Sequence, residues 1–273
     1  MFDLMSKARL VGSLFGVLSA VSVVAVVAAQ APPSTKPAAR FEVASIRPSS
    51  GTGSGRLTAE PGGRFLVTNF PLQIVITSAF DIRPFQLVDV PRWVHVEKFD
   101  IVASTGRDEF ASVVAMQPLI QTLLAERFRL EVVREQRVMQ TYALVRAHPD
   151  TLGPQLKPSK ADCSSPESRD FANPAACGVR VPNIGMITGI GSPLVRLAGT
   201  LIALVDTFVD DDTGLTDAFE FTLKWNPSLT DAAEPDRVSI FTALQEQLGL
   251  RLEPRRKAVD VVAIKRIERP TEN

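Results

Sequence analysis

Histidine is almost missing from this chain: 273 residues contain two, His95 and His148. His95 sits in Trp93-Val-His-Val, which predicts an exposed strand position, and His148 opens a polar stretch, which predicts surface exposure. No serine lies in G-x-S-x-G, so a nucleophile elbow is excluded. No H-E-x-x-H offers zinc ligands, and no Lys-Ser/Thr follows Gly51-Thr-Gly-Ser-Gly, so that loop is not a P-loop. Gly185 to Gly191 has three glycines without a dinucleotide fingerprint. An excess of charge is missing too. Lys plus Arg and Asp plus Glu are 30 each, which argues against a nucleic-acid partner. No catalytic, metal-binding or cofactor-binding residue follows from these patterns, and no cofactor is expected.

Long apolar runs are absent after residue 29. Leu194 to Val209 comes nearest, but Arg196 and Asp206 interrupt it, so it reads as a buried helix. Before residue 29 the picture differs. Lys7 and Arg9 form a basic start, and Leu10 to Ala29 carries no charge. Val27-Ala-Ala suits signal peptidase, so residues 1–29 read as an export signal cleaved after Ala29. An uncleaved anchor is the competing reading. The expected location is therefore the periplasm or the medium, with no membrane span after cleavage. Residues 30–40, rich in Pro and Ala, read as a solvated spacer.

Cysteine occurs twice, at Cys163 and Cys177, in one polar loop. In an oxidising compartment such a pair predicts a disulfide, with about 3 kcal/mol of stabilisation in the chain-entropy picture.

The chain also resembles itself. Leu119 to Ala147 aligns with Ser239 to Ile267 at an offset of 120, and Phe99-Asp-Ile-Val-Ala aligns with Phe219-Glu-Phe-Thr-Leu. Pro71-Leu72 and Pro193-Leu194 open helix-like runs at an offset of 122. Ile120, Leu123, Leu124 and Phe128 have helical spacing. Next come a short strand at Leu130-Glu-Val-Val, a polar turn at Arg134 to Arg137 and a strand at Thr141-Tyr-Ala-Leu-Val. The second copy reads likewise, with a turn at Pro254 to Lys257. The expected fold is α+β: two tandem helix-plus-antiparallel-hairpin repeats, each strand-helix-strand-helix-strand-strand. The repeats are placed at 41–147 and 183–273, with a connector at 148–182 holding the cysteines.

Few residues invite a ligand. Asp210-Asp-Asp212 is the densest acidic cluster, but it lacks the D-x-D-x-D-G order of a calcium loop, and Thr213-Gly214 reads as a turn. Trp93 follows a Val-Pro-Arg turn, while Trp225 ends a strand whose Phe219, Phe221 and Leu223 form a core face. Trp93, Asp210, Asp211 and Asp212 are retained as candidate ligand contacts, and Asp100 with Glu220 as a candidate carboxylate pair.

The order of segments carries a resemblance. Phe41-Glu-Val-Ala-Ser-Ile-Arg-Pro, Pro91-Arg-Trp, Phe99-Asp-Ile-Val-Ala and Leu123-Leu-Ala-Glu-Arg-Phe-Arg-Leu come first. Tyr142-Ala-Leu-Val, Thr213-Gly-Leu-Thr, Phe219-Glu-Phe-Thr-Leu-Lys-Trp and Phe241-Thr-Ala-Leu-Gln-Glu-Gln-Leu-Gly-Leu follow, ending in Glu268-Arg-Pro-Thr-Glu-Asn. Over residues 41–273 this resembles an acidobacterial paralogous family, domain of unknown function 3738. The resemblance implies export and a sensing or binding role in the envelope, and it brings no catalytic residues. Ser239 to Ile267 also looks like the short amino-terminal modules of secretins and TonB-dependent receptors.

The reading that results is an exported, non-catalytic binding or sensing module for a protein, peptide or other envelope ligand, with a peptide or protein segment taken by exposed strand edges or the cleft between halves. The alternatives are a hydrolase in which Asp100 and Glu220 meet in a cleft, and a structural envelope component.

Overall fold

A computed structural model describes residues 39–106, 112–165, 168, 173, 176–227 and 238–270. The signal and spacer readings fall on residues outside these, apart from the spacer's last two. The described residues form two hydrophobic cores, each under its own four-stranded antiparallel sheet, joined by a third sheet. The fold is mixed α+β.

The first lobe uses β1 (Val43–Pro48), β2 (Arg56–Glu60), β3 (Arg64–Pro71) and β5 (Lys98–Ser104), in the order β1-β5-β3-β2. Along β5, Phe99, Ile101 and Ala103 are buried while Val102 is exposed, the alternation of a sheet with one face on a core. On that face lie α1 (Leu72–Phe80), α2 (Arg92–Val96) and α3 (Val113–Phe128). Ser112 caps α3 by accepting the Ala115 N–H at 3.2 Å, and Arg129 ends it at φ 51°. Met116, Ile120, Leu124 and Phe128 keep the buried stripe continuous.

The second lobe uses β7 (Leu156–Pro158), β8 (Gly178–Asn183), β9 (Met186–Ser192) and β11 (Phe219–Lys224), in the order β7-β11-β9-β8. β7 and most of β8 come from the stretch 148–182. α4 (Leu194–Val205) buries Leu194, Leu197, Ala198 and Leu201, so it is a one-sided surface helix. α5 (Ile240–Ala243) runs into a π-helical turn at Leu244–Leu248, closed by Gly249 at φ 67°.

Two long strands, β6 (Glu131–Arg146) and β12 (Leu250–Arg266), replace the expected hairpins. They pair antiparallel with each other, Leu250 opposite Arg146 and Ile264 opposite Val132. The expected turns fail for a physical reason. Arg134-Glu-Gln-Arg has no Gly, Asn or Asp to take the positive φ of a tight hairpin turn, and Pro254 sits within the ladder opposite Tyr142. The short strands β4 (Leu87–Val88) and β10 (Val209–Asp211) flank this ribbon in parallel, β4 on β12 and β10 on β6. Each long strand starts in one core and ends in the other. Leu130 belongs to the first core and Leu144 to the second; Leu250 belongs to the second, Val262 and Ile264 to the first. Phe85 and Phe208, just ahead of β4 and β10, meet edge to face with centroids 4.9 Å apart. Among the described residues no helix is long and apolar enough to cross a membrane.

Candidate functional site

The third strand of each lobe is interrupted in the same way. β3 loses register with β5 between Val67 and Phe70, and Asn69 there adopts φ 53°. β9 breaks against β11 between Phe219 and Phe221, and Gly191 there adopts φ 56°. A Cβ at Gly191 would collide with Cys163 Sγ, so the closeness of the chain to the sulfur requires glycine. Cys163 and Cys177 are joined by the expected disulfide, with Cα atoms 5.8 Å apart.

The carboxylates Asp100 and Glu220 serve these strands locally. Asp100 Oδ1 accepts the Asn69 N–H at 2.9 Å, the donor freed by the break in register, and Oδ2 lies 3.4 Å from Arg47 Nε. The Asn69 amide, then Ser49 and Arg47, hold the Asp100 carboxyl below its ordinary pKa. Glu220 Oε1 accepts the Ser159 hydroxyl at 2.9 Å. The two are not brought together: each lies on a different sheet, beside partners of that sheet. Replacing Asp100 with Asn is expected to lower stability by about 1–2 kcal/mol at pH 7. Because the folded pKa is depressed, this contribution is present above the unfolded carboxylate pKa and fades as pH falls through the folded one. Urea titrations of wild type and variant should therefore converge at low pH; a gap of constant size would disprove the assignment.

The acidic run disperses as well. Asp210 pairs with Lys257 Nζ at 2.9 Å, and Asp211 Oδ1 accepts the N–H and hydroxyl of Thr213 in a turn. Asp212 N–H donates to the Leu144 carbonyl. Among the described residues no three His, Cys, Asp or Glu side chains are placed to share a metal ion. Trp93 is half-buried against the first core, with the Arg269 guanidinium 5.0 Å over its ring. Arg269 in turn holds Glu97, whose pKa is lowered by that bond. Trp225 is buried in the second core. His95 lies on α2 rather than on a strand, because Pro91 fixes the preceding turn, and its Nδ1 is 2.8 Å from Gln73 Oε1. His148 is exposed.

What the structure assembles lies along α4. A groove of about 900 Å³ is lined by the disulfide, Val179 on β8, and Val195, Arg196, Gly199 and Thr200 on α4. Val195 is 58% exposed. Among the described residues nothing lies within 4 Å of the position a Gly199 Cβ would take. A helix-interior glycine costs about 1 kcal/mol relative to Ala and gains nothing here from internal packing.

At the sequence offset that aligns the N-cap prolines Pro71 and Pro193, Gln73 matches Val195, Thr77 matches Gly199 and Ser78 matches Thr200. Thr77 is buried. Gln73 is bonded to His95 of α2, and Gln117 Nε2 of α3 donates to the Ser78 carbonyl at 3.1 Å. The first half of α3 thus lies against α1 at Ser78, whose counterpart by sequence offset is Thr200 on the side of α4 that no described helix covers. None of the candidate ligand contacts lines this groove. Its signal in the sequence was a glycine inside a helical run and the loss of apolar spacing before Ser239.

A protein-family profile described as "Protein of unknown function (DUF3738)" matches residues 73–267. No curated protein and no solved structure matches the chain.

Proposed function

The chain belongs to this family of unknown function, DUF3738, and we propose that it is an exported, non-catalytic binding protein of the acidobacterial paralogous group, built from two copies of one α+β unit. The α4 groove carries this reading: among the described residues it is a concave face in one lobe, whereas α3 packs on α1 in the other. The ligand is a protein or peptide of the envelope.

Several observations support duplication. Both outer sheets have the same strand order and the same break in register. Val138 faces Ala258 in the ribbon, a pair 120 residues apart, so the ribbon register is symmetric under the sequence offset. Leu87 and Val209, 122 residues apart, dock at Val262 and Tyr142, again 120 apart. Export is supported by the basic, then uncharged, amino terminus, and the disulfide suits an oxidising compartment.

The ribbon is the weaker docking place. Arg134, Glu135 and Arg137 on β6, and Arg251, Glu253, Arg255, Arg256 and Lys257 on β12, load it with charge, which opposes pairing along the parts that β10 and β4 leave uncovered. The hydrolase alternative requires Asp100 and Glu220 to meet, and their separate partners disfavour it.

The test has two parts. Expression of the full chain should yield a periplasmic or secreted product beginning at Gln30, read by mass spectrometry; a product retaining Met1 in the cytosol defeats the export half. Residues 30–273, oxidised and folded, should then retain a specific protein or peptide from envelope extract. Failure to retain any defeats the binding half.

A further inference from the structure

We propose, resting on the binding reading above, that the α4 groove receives a short amphipathic helix from a partner, seated as the first half of α3 sits on α1 in the first lobe. In that lobe Met116 and Ile120 are fully buried and Val113 packs against the core, while Gln117 and Gln121 donate to the carbonyls of Ser78 and Ala79. The second half of the chain does not repeat this apolar pattern in sequence. At the offset of 120, Val113 becomes Ala233, Met116 becomes Asp236 and Leu119 becomes Ser239, with Pro235 among them. Ser239 then caps a helix that starts a full two turns later, its Oγ accepting the Thr242 N–H.

The groove that results has the composition of a helix-binding surface. Val179, Val195, Pro193 and the disulfide supply apolar walls, and Gly199 lets a helix backbone approach closely. Its volume of about 900 Å³ is enough for the side chains of about two helical turns. Arg196 lines it and has no ion-pair partner among the described residues. The occupant is therefore a helix with apolar residues spaced three and four apart and a carboxylate placed one turn from its buried stripe.

The probe is a fluorescein-labelled, acetylated peptide of residues 112–125, read by anisotropy against the oxidised protein. Binding with a Kd of about 10–100 µM is expected. Gly199→Leu fills the groove at a position with open space and favours the helix, so its Tm should be no lower than wild type while peptide affinity falls at least about tenfold. A peptide carrying Gln117→Glu should bind about two- to fivefold tighter, and this gain should vanish in Arg196→Gln. Equal binding by Gly199→Leu, or no binding at about 1 mM peptide, overturns the proposal. The envelope partner distinguishes the levels of failure. A partner lost with Gly199→Leu supports the groove. A partner kept by Gly199→Leu overturns the groove and leaves the binding reading standing. A protein that takes neither peptide nor partner overturns both.

Discussion

Leu144→Ala is expected to destabilise both lobes together, by about 2–5 kcal/mol, although the side chain lies in only one of them. Leu144 is fully buried in the second core, yet it comes from β6, whose first residues close the first core. β12 makes the reciprocal crossing, with Val262 and Ile264 delivered to the first core. Loss of either end of the ribbon removes the ladder that orders the other end. The two cores should therefore melt in one transition despite sharing no residue. The only two tryptophans make this measurable: Trp93 reports on the first core and Trp225 on the second. In the single-tryptophan backgrounds Trp93→Phe and Trp225→Phe, Leu144→Ala should move the urea midpoint of both reporters equally. A shift confined to Trp225 would mean that the lobes fold independently and that the ribbon is a tether.

This crossing was not legible in the sequence, and the reason is general. Periodicity marks Leu130-Glu-Val-Val and Thr141-Tyr-Ala-Leu-Val as extended, and the charged residues between them resemble a turn. What decides is the backbone conformation that a hairpin needs, and Arg134-Glu-Gln-Arg has no residue suited to it. The charges instead face solvent along a ribbon, with Lys257 paired to Asp210 and Arg137 to Asp89. The helices were easier to read where proline opens them, at α1 and α4, and where apolar spacing repeats, from Ile120 to Phe128. The core face of β11 was legible for a similar reason, since Phe219, Phe221, Leu223 and Trp225 alternate as a half-buried strand does.

The groove was hidden because it is a difference between the halves, and alignment rewards what they share. Matching Leu119 with Ser239 captures the end of α3 and hides the fact that Met116 and Leu119 have the polar counterparts Asp236 and Ser239. The acidic run misled in the opposite direction. Three adjacent aspartates look like a site, but adjacent residues at a strand end point in different directions: Asp210 goes to a lysine, Asp211 to a turn hydroxyl. Concentration of charge in sequence is thus a poor guide here.

The double variant Cys163→Ser, Cys177→Ser is expected to lose about 3 kcal/mol, the chain-entropy value for a closed loop of this length. The bond spans a sequence separation of 14 residues. It also forms a wall of the groove, and Cys163 lies against the Gly191 backbone, where the third strand of the second lobe breaks register. Removing it should act on two observables. The urea midpoint falls, and helix-peptide affinity falls with it under conditions where the variant is still folded, because one wall is no longer pinned. Gly191→Ala separates the two effects. It keeps both cysteines but sets a Cβ against Cys163 Sγ at positive φ, so it should strain the wall without lengthening the unfolded chain. If the double variant loses less than about 0.5 kcal/mol, the unfolded loop is already compact and the chain-entropy account fails for this bond. If stability falls as expected while peptide affinity holds, the disulfide secures the fold alone, and the groove is shaped by β8, β9 and α4 without it.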